Sequence, residues 1–512
     1  MTADERRLVL GPHGVTAADV VAVARVGRGV TLGYDARAVV ERGAAVVERL
    51  VHQPEPVYGV STGFGALANT VIPAERSAEL QTALIRSHAA GMGPEIEREA
   101  VRAMVLLRAR SLAMGYSGAR PVVIDTMLAL LNAGVTPVVR EHGSLGASGD
   151  LAPLASAALV LLGEGQARLA DGELVDGATA LATAGVTPLT LQAKEGLALI
   201  NGTDGMLGML VLALADLDVL LPTADVAAAM STEALLGTDR AFAEDLVAMR
   251  PQLGQAVSAA NLRALLHGSP IVASHRYEDD RVQDAYSVRC TPQVHGAARD
   301  TVEHARAVAG RELVSFIDNP VVLPDGRVES CGNFHGAPVA AVADFLAIAV
   351  ADVGAISERR TDRLLDRARS HGLPPFLSPD AGVNSGLMIG HYTQAAMVAE
   401  NRRLAMPAST DTLPTSAMQE DHVSLGWASA RKLRMAVANL ARILAVELVA
   451  GTWGLELRRP LQPASATGAV ADAITTAAGG PGPDQWLSPR LQAVERLVID
   501  GSVLAVAGVN LR

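Results

Sequence analysis

Aromatic residues are scarce in this chain: phenylalanine, tyrosine and tryptophan together make up 3% of its 512 residues. Charged residues are also few, at 19%, whereas 49% of the residues are hydrophobic, and this balance excludes an intrinsically disordered chain. The hydrophobic residues are mainly alanine, valine and leucine. Because alanine and leucine favour the helical state, the composition predicts a protein of closely packed helices.

The chain has only two cysteines, Cys290 and Cys331. A disulfide framework in so long a chain would need more, so we expect a reducing, cytoplasmic setting. The first residues, MTADERRLVLGPHG, include acidic groups and no apolar segment, which predicts that they are not a signal peptide. The most apolar run, Leu151 to Gly163, is too short to cross a bilayer, so we expect a soluble protein with no membrane partner. The formal net charge of -11 argues against a nucleic-acid partner, since nucleic acids bind basic surfaces.

The hydrophobic pattern divides the chain into three predicted regions. Residues 1–200 alternate short helical patterns with connections rich in glycine and proline. Residues 201–450 are helical over long stretches, and residues 451–512 form a helical extension interrupted by glycine and proline at 479–483. The fold class predicted is mainly α: a long central antiparallel helical bundle with an irregular N-terminal region. One apolar stripe in the predicted bundle consists of Leu433, Val437, Leu440, Leu444 and Leu448.

Shorter elements have their own sequence signals. Residues Val123 to Asn132 form a predicted helix that Gly134 ends. Hairpins are predicted around Asp171-Gly172 and around Pro324-Asp325-Gly326, because such pairs form tight turns.

The segment 143–154, GSLGASGDLAPL, places small residues in a loop before a helix that starts after Asp150. Because Gly149 has no side chain, its amide nitrogen can approach the Ala147 carbonyl closely. Attack there closes a five-membered ring with loss of one water, and loss of a second water leaves Ser148 as an exocyclic methylidene. The product is 4-methylidene-imidazole-5-one (MIO), an electrophile that no ordinary side chain provides. A plain glycine-rich turn capped by Asp150 is the alternative, and the tripeptide alone favours it.

The twelve residues together resemble the signature of the aromatic amino acid ammonia-lyase and aminomutase family. The similarity extends from about Val57 to Leu448 through several separate motifs. It implies a fold of the fumarase/aspartase type and, as cofactor, MIO formed autocatalytically from Ala147, Ser148 and Gly149. Relatives in this family form homotetramers whose sites take residues from more than one subunit, so the resemblance implies a homotetramer here.

Tyr58 lies in YGVSTGFG, residues 58–65, which is similar to the family's loop that bears its catalytic tyrosine. An elimination must remove a weakly acidic β-proton, and a tyrosinate is a strong enough base if the site lowers its pKa from about 10. A buried tyrosine that packs beside a flexible glycine loop is the structural alternative.

Gln283, Tyr286 and Arg289 lie in QDAYSVR, and their three- and six-residue spacing predicts that they share one helical face. An arginine guanidinium can bind a carboxylate through two parallel hydrogen bonds. The resemblance implies that Arg289 binds the substrate carboxylate while Gln283 and Tyr286 line the site. A surface salt bridge is the alternative role of Arg289.

Three further residues are assigned through the resemblance. Asn201, in NGTD, would hydrogen-bond the carbonyl of the prosthetic group, with an ordinary helix cap as the alternative. Phe334, in NFHG, would form an apolar wall of the site, with plain core packing as its alternative. Met388 matches a methionine that lines the site of histidine-specific members.

Two positions bear on the substrate. His88, in RSHAAG, and Glu420, in MQEDHVS, resemble the histidine-specific members, whereas members that act on phenylalanine or tyrosine usually carry an amide in place of the glutamate. A histidine and a carboxylate can satisfy the two nitrogens of an imidazole, but a phenyl ring could not offset the desolvation of Glu420. We therefore expect L-histidine as the substrate, and we count Glu420 among the catalytic residues.

The expected reaction belongs to histidine degradation: Tyr58 removes the β-proton and elimination gives trans-urocanate and ammonia. Whether the amino group or the imidazole of the substrate reacts with MIO stays open. One alternative is a tyrosine or phenylalanine ammonia-lyase or aminomutase, and another is a non-catalytic helical scaffold.

The sequence departs from the family pattern at His295, at Cys331, where asparagine is usual, and at His391, where glutamine is usual. These departures affect the pocket lining rather than the electrophile. No metal is expected, because no trusted ligand spacing is present among His335, Asp421 and His422.

Overall fold

The computed structural model describes residues 7–53, 55–277, 279 and 281–512. It is mainly helical, as the composition and the hydrophobic pattern predict, with 58% of the residues in helices and little strand. The chain forms two compact units, each built from three stretches. The first unit comprises the residues up to 212, 305–343 and 407–431, and the second comprises 213–304, 344–406 and 432–512. By contrast, each of the three regions predicted from the sequence is continuous in the chain.

Short helices and small sheets make up the first unit. The Tyr34–Leu50 helix buries Val40 and Val47 on one face, as an amphipathic helix does, whereas the Arg98–Ala113 helix is buried on nearly every side. The helices are Ala17–Val21, Ala22–Val26 (a π-helix), Tyr34–Leu50, Gly65–Leu67 and Ala74–Arg76 (both 3₁₀), Ser77–His88, Arg98–Ala113, Pro121–Asn132, Leu151–Leu161, Gly177–Thr183 and Glu195–Ile200.

The strands of the first unit are short. Leu8–Leu10 pairs in parallel with Val30–Leu32, and Met92–Glu95 pairs antiparallel with Arg140–His142. The remaining antiparallel strands are Thr136–Pro137, Gln166–Arg168 and Leu174–Asp176 in one sheet, and Val321–Val322 and Val328–Glu329 in another. The hairpins predicted around Asp171-Gly172 and Pro324-Asp325-Gly326 are thereby confirmed.

Four helices longer than 20 residues lie in the described part of the chain: Asp204–Ala234, Thr291–Glu312, Ala337–Leu365 and Gly426–Leu457. The predicted apolar stripe from Leu433 to Leu448 lies on the last of them, and its members are at most 3% exposed. Burying a leucine side chain fully contributes roughly 1.5–3 kcal/mol, so such a stripe stabilises the helix far more than its intrinsic propensity does.

Two of the long helices, Asp204–Ala234 and Ala337–Leu365, are long and apolar enough to cross a membrane by length and composition alone. Their most apolar windows are 78% and 61% buried within the protein. This burial is expected of the core helices of a globular protein, because an all-round apolar helix there packs against protein rather than lipid.

The second unit is built from shorter helices besides the long ones. They are Arg240–Phe242 and Pro375–Leu377 (both 3₁₀), Glu244–Ala248, Leu253–Leu265, Pro270–Ser274, Tyr286–Arg289, Met388–Leu404, Ser465–Ala478, Leu487–Ile499 and Ser502–Ala507. The break predicted at 479–483 is confirmed, because these residues lie between two helices.

The prediction that Gln283, Tyr286 and Arg289 share a helical face is wrong for Gln283. The helix begins only at Tyr286, because Ala285 before it is extended, with φ −62° and ψ 157°. The Asp284 carboxylate accepts a hydrogen bond from the Thr238 N–H at 2.7 Å, and this tertiary contact holds the chain outside the helix. Tyr286 and Arg289 do share a face.

Candidate active site

Five of the predicted residues line one cavity of about 630 Å³ in the first unit. They are Tyr58, His88, Ser148, Asn201 and Glu420. Most of the remaining lining is apolar, so the few polar groups in it can set the orientation of a bound molecule.

The loop that carries Ser148 is held in an unusual conformation. Ser148 is left-handed, with φ 54°, a conformation that residues other than glycine rarely adopt. Gly149 also has a positive φ, of 80°, and a Cβ built on it would lie 2.1 Å from the Gly202 carbonyl oxygen. Only glycine fits there, and the Asp150 N–H then donates to the same carbonyl at 2.7 Å.

Asp150 precedes the Leu151–Leu161 helix, as predicted, but its side chain does not cap that helix. Its carboxylate accepts hydrogen bonds from the Gly205 and Met206 N–H groups, both at 2.9 Å, and from the Ser144 hydroxyl at 3.0 Å. Burial raises the pKa of Asp150 to about 7, although these three donors stabilise its charged form. Asp150 therefore ties the loop to the start of the Asp204–Ala234 helix.

These contacts fit the formation of MIO from Ala147, Ser148 and Gly149. Gly149 lies in a backbone cradle that excludes any side chain, and the turn around Ser148 brings the Gly149 N–H to 3.4 Å from the Gly146 carbonyl oxygen. A loop held in a strained conformation has already lost conformational entropy, so ring closure has a smaller entropic cost.

Tyr58 is half-buried, with its ring edge-to-face against Phe64 at 6.5 Å between centroids. Its hydroxyl accepts a hydrogen bond from the Gly65 N–H at 3.4 Å. Burial raises the pKa of Tyr58, the Gly65 N–H lowers it, and the Glu420 carboxylate raises it further, with a net increase above 10. The lowered pKa that a tyrosinate base would require is therefore not produced within the single chain.

His88 ends the Ser77–His88 helix, and its Nδ1 lies 2.9 Å from the Leu84 carbonyl oxygen. A carbonyl only accepts, so Nδ1 carries the proton and Nε2 is left as an acceptor. Burial lowers the pKa of His88 below its ordinary value of 6.5, although the Leu84 carbonyl and the Glu420 carboxylate act in the opposite direction. Burial therefore favours the neutral form of the His88 imidazole.

Glu420 is held by a strained turn. The Thr415 hydroxyl donates to the Glu420 carboxylate at 3.0 Å, and the backbones of the two residues form a two-way hydrogen-bonded bridge. Between them Ser416, Ala417 and Met418 are left-handed, with φ 52°, 51° and 72°. Each such residue costs about 1–2 kcal/mol, and strain of this kind clusters at functional sites.

Asn201 is 2% exposed and ends the Glu195–Ile200 helix rather than capping the helix that follows. Its Nδ2 donates to the Asp318 carboxylate at 3.2 Å and to the Asn319 carbonyl at 2.6 Å. Its Oδ1 is buried and has no hydrogen-bond partner among the described residues.

Gln283, Tyr286, Arg289 and Met388 belong to the second unit and are not among the residues that line this cavity. Arg289 lies over the Tyr286 ring at 4.7 Å, and its buried Nε has no hydrogen-bond partner among the described residues. The alternative role of Arg289, a surface salt bridge, thus finds no support in the ion pairs of the described chain. Tyr286 is 71% exposed.

Phe334 lies in a turn of the first unit and is not among the lining residues of the cavity either. Its role as an apolar wall stays a prediction. Among the residues that the structure describes, no group of three or more His, Cys, Asp or Glu side chains is placed to hold a metal ion.

A model of one protein family, described as aromatic amino acid lyase, matches residues 15–476. The chain belongs to the aromatic amino acid lyase family. It is 60% identical over 501 residues to the histidine ammonia-lyase of Streptomyces avermitilis, covering 98% of each chain.

Solved structures of other aromatic amino acid lyase relatives have the same fold. The crystal structure of histidine ammonia-lyase from Trypanosoma cruzi matches with a TM-score of 0.90 at 39% identity, covering 98% of this chain and 95% of that one. Tyrosine aminomutase from Streptomyces globisporus matches with a TM-score of 0.92 at 35% identity, covering 99% of this chain and 100% of that one. Proteins named for different substrates therefore share this fold.

The departures of this aromatic amino acid lyase from its family's pattern have local structural explanations. The fully buried His295 bonds through Nδ1 to the Asp225 carboxylate at 2.7 Å. His391 contacts the Glu358 carboxylate through Nε2 at 2.6 Å. The Cys331 thiol donates to the Asp318 carbonyl at 3.5 Å, and the Cys331 N–H donates to the Asn319 side-chain oxygen at 2.8 Å.

Sequence reasoning missed several contributors to the site. The Leu84 carbonyl selects the tautomer of His88, and Thr415 orients Glu420. Asn319 lines the cavity beside Asn201. A backbone carbonyl or a threonine five residues from a carboxylate has no signature in a sequence, so no pattern could have identified these residues.

Proposed function

We propose that this protein is an ammonia-lyase that converts L-histidine into trans-urocanate and ammonia in the cytoplasm. The observation that carries the proposal is a pair of hydrogen-bond acceptors in the cavity that also contains Ser148 and Tyr58. The acceptors are the neutral His88 and the Glu420 carboxylate, and they are close enough for the charge of Glu420 to affect the pKa of His88.

This pair suits an imidazole side chain better than a phenyl or phenol. His88 has committed its N–H to Leu84, so it offers only Nε2, while Glu420 offers carboxylate oxygens. A protonated histidine side chain brings two N–H donors, one for each acceptor, whereas a neutral one brings a single donor. A phenol brings one hydroxyl and a phenyl ring brings no donor, so either would leave a polar group of the cavity unsatisfied, at about 1–3 kcal/mol.

Ala147, Ser148 and Gly149 would hold the MIO group, which supplies an electrophile that makes the substrate amine a better leaving group and needs no diffusible cofactor. Gly149 contributes the ring-closing nitrogen from its cradle against Gly202. Tyr58 takes the β-proton of the substrate as general base.

Tyr58 needs a neighbouring cation to act as a base, because the single chain raises its pKa. A second copy can supply one. The buried Nε of Arg289 has no hydrogen-bond partner among the described residues, and Arg289 lies beside Tyr286, which is exposed. We therefore include a homotetramer in the proposal, in which Gln283, Tyr286, Arg289 and Met388 of neighbouring copies complete the site and Arg289 also binds the substrate carboxylate.

The test is an assay of the purified protein against histidine, tyrosine and phenylalanine. Histidine should give the ultraviolet absorbance of a conjugated imidazole acid, and the other two amino acids should react at least tenfold more slowly. Turnover of tyrosine or phenylalanine alone would overturn the choice of substrate.

Intact mass separates failure of the substrate assignment from failure of the chemistry. The native chain should be lighter than its translated sequence by two waters, and Ser148→Ala should remove that difference together with activity. A native chain of unaltered mass would support the non-catalytic scaffold instead.

A further inference from the structure

The amide of Asn201 is oriented by its hydrogen bonds. Both of its Nδ2 hydrogens are used, one by the Asp318 carboxylate at 3.2 Å and one by the Asn319 carbonyl at 2.6 Å. Since both partners only accept, the nitrogen side of the amide must face them. The atom that Asn201 has left for a ligand is Oδ1, which is an acceptor. A hydrogen bond from Asn201 to the ring carbonyl, which the family resemblance implies, would need one of the two donors already in use.

A buried ion pair outside the cavity supports this orientation of the Asn201 amide. The Lys194 ammonium donates to the Asp318 carboxylate at 2.8 Å, and both side chains are fully buried, yet neither lines the cavity. Lys194 is left-handed, with φ 65°, at the start of the Glu195–Ile200 helix, whose far end is Asn201. Asp318 also accepts from the Asn319 N–H at 2.7 Å. One carboxylate thus connects Lys194 with both asparagines that line the cavity.

We propose that Lys194 and Asp318 are positioning residues that orient the Asn201 amide so that its Oδ1 accepts a hydrogen bond from the amino group of the substrate. The inference rests on the proposed function, since it requires an amino-acid substrate in this cavity. The Asp318 carboxylate, which contacts the buried Lys194 ammonium at 2.8 Å, presents only acceptors to Asn201. If position 318 held an amide, only the Asn319 carbonyl would still require the nitrogen side of Asn201, so the orientation of its amide would lose one of its two fixed acceptors.

The three polar parts of the substrate then have separate partners. His88 and Glu420 bind the imidazole, Arg289 of a neighbouring copy binds the carboxylate, and Asn201 binds the amino group. An ammonium or amine always carries N–H donors, so an acceptor here favours amino acids over their deaminated analogues. The same polarity disfavours the product, which has lost its amino group.

The test compares two ligands that differ only in the amino group. Kinetic constants for L-histidine and inhibition constants for 3-(imidazol-4-yl)propionate are measured for the native enzyme, for Asp318→Asn and for Lys194→Met combined with Asp318→Asn. The double variant removes both charges together, so it leaves no unpaired buried charge to prevent folding. We expect kcat/KM for histidine to fall at least tenfold in both variants, with the inhibition constant changing less than twofold. The mass deficit of two waters should remain.

Asp225→Asn is the matched control. Asp225 is equally buried and also accepts from a cation, Arg299, at 2.7 Å and from the Asn261 side chain at 2.8 Å, but none of the three lines the cavity. This variant should change both constants less than twofold.

Three outcomes would overturn the positioning role: parallel changes for the two ligands, native kinetics in the double variant, or failure of both variants to fold, which would assign the pair to folding. Absence of histidine turnover in the native enzyme would instead count against the proposed function. In that case the same comparison is made with tyrosine or phenylalanine and their deaminated analogues.

Discussion

At the scale of single residues, the chemistry of the cavity depends on which polar atoms are already bonded within the protein. His88 shows the effect: the Leu84 carbonyl takes its N–H, so the ring faces a ligand as an acceptor. Tyr58 shows the reverse case. Its single intramolecular donor, the Gly65 N–H, is too weak at 3.4 Å to offset burial and the charge of Glu420, and its pKa stays raised.

Replacing Glu420 by glutamine should move two ionisations in the same direction. The Glu420 carboxylate raises the pKa of both Tyr58 and His88, so Glu420→Gln should lower both values. The rate increases as Tyr58 loses its proton, so the rising limb of the profile of kcat/KM against pH should shift to lower pH. Glu420→Asp keeps the charge and should leave the limb in place; an unshifted limb in Glu420→Gln would contradict the coupling.

Tyr58→Phe should keep the mass deficit of two waters and reduce kcat at least about 100-fold, because a positioned general base contributes roughly 10²–10⁴ in rate. Intact mass and initial rates measure the two effects. Tyr34→Phe is the control, since Tyr34 is 86% exposed and does not line the cavity. A Tyr58→Phe enzyme with the native rate would remove Tyr58 from the mechanism.

The sequence identified the residues whose side chains are chemically distinctive. Tyr58, His88, Ser148, Asn201 and Glu420 were each predicted from a motif, and they line the same cavity. The Lys194–Asp318 pair could not be predicted, because its members are 124 positions apart and a lysine in a helical segment is far more often a solvated surface residue.

At the scale of elements, the conformation of the loop that carries Ser148 depends on backbone contacts with residues outside the loop. Asp150 is a natural helix cap by its sequence position, yet it bonds the first turn of the Asp204–Ala234 helix instead. Sequence patterns describe neighbours along a chain, so they predicted the Leu151–Leu161 helix and missed this connection. Gln283 is the comparable case, since the Asp284–Thr238 contact delays the start of its helix.

Gly149→Ala should abolish the mass deficit of two waters as well as activity, because the added Cβ would lie 2.1 Å from the Gly202 carbonyl oxygen. Gly172→Ala is a matched control: its φ is 94°, but an added Cβ meets nothing within 4 Å. Both variants should lose about 1–2 kcal/mol in free energy of unfolding for the left-handed conformation. Denaturant titration and intact mass measure the two effects, and a cyclised Gly149→Ala chain would show that the cradle is unnecessary.

At the scale of the whole molecule, the chain contributes three separate stretches to each unit. Boundaries such as that between residues 212 and 213 lie inside a continuous helix, Asp204–Ala234, so no linker marks where one unit ends and the other resumes. The helical fold class could therefore be predicted from the spacing of hydrophobic residues and from the composition, whereas the assignment of segments to the two units could not.

A homotetramer with shared sites predicts complementation between inactive chains. Tyr58→Phe and Arg289→Met should each be nearly inactive alone, but chains produced together and purified through two different tags should recover activity. If every site takes these two residues from different copies, random mixing gives about a quarter of the sites both native residues. Mixing the chains after separate purification is the control, and the absence of recovery on co-production would place both residues in one chain.

The contact between Gly149 and Gly202 has a consequence for timing. These glycines belong to stretches that meet only after the first unit has folded. The nascent chain therefore has an unmodified Ser148, which does not react with thiols. The reactive alkene of the proposed MIO group would then arise only after folding, and a misfolded chain would not become an alkylating agent.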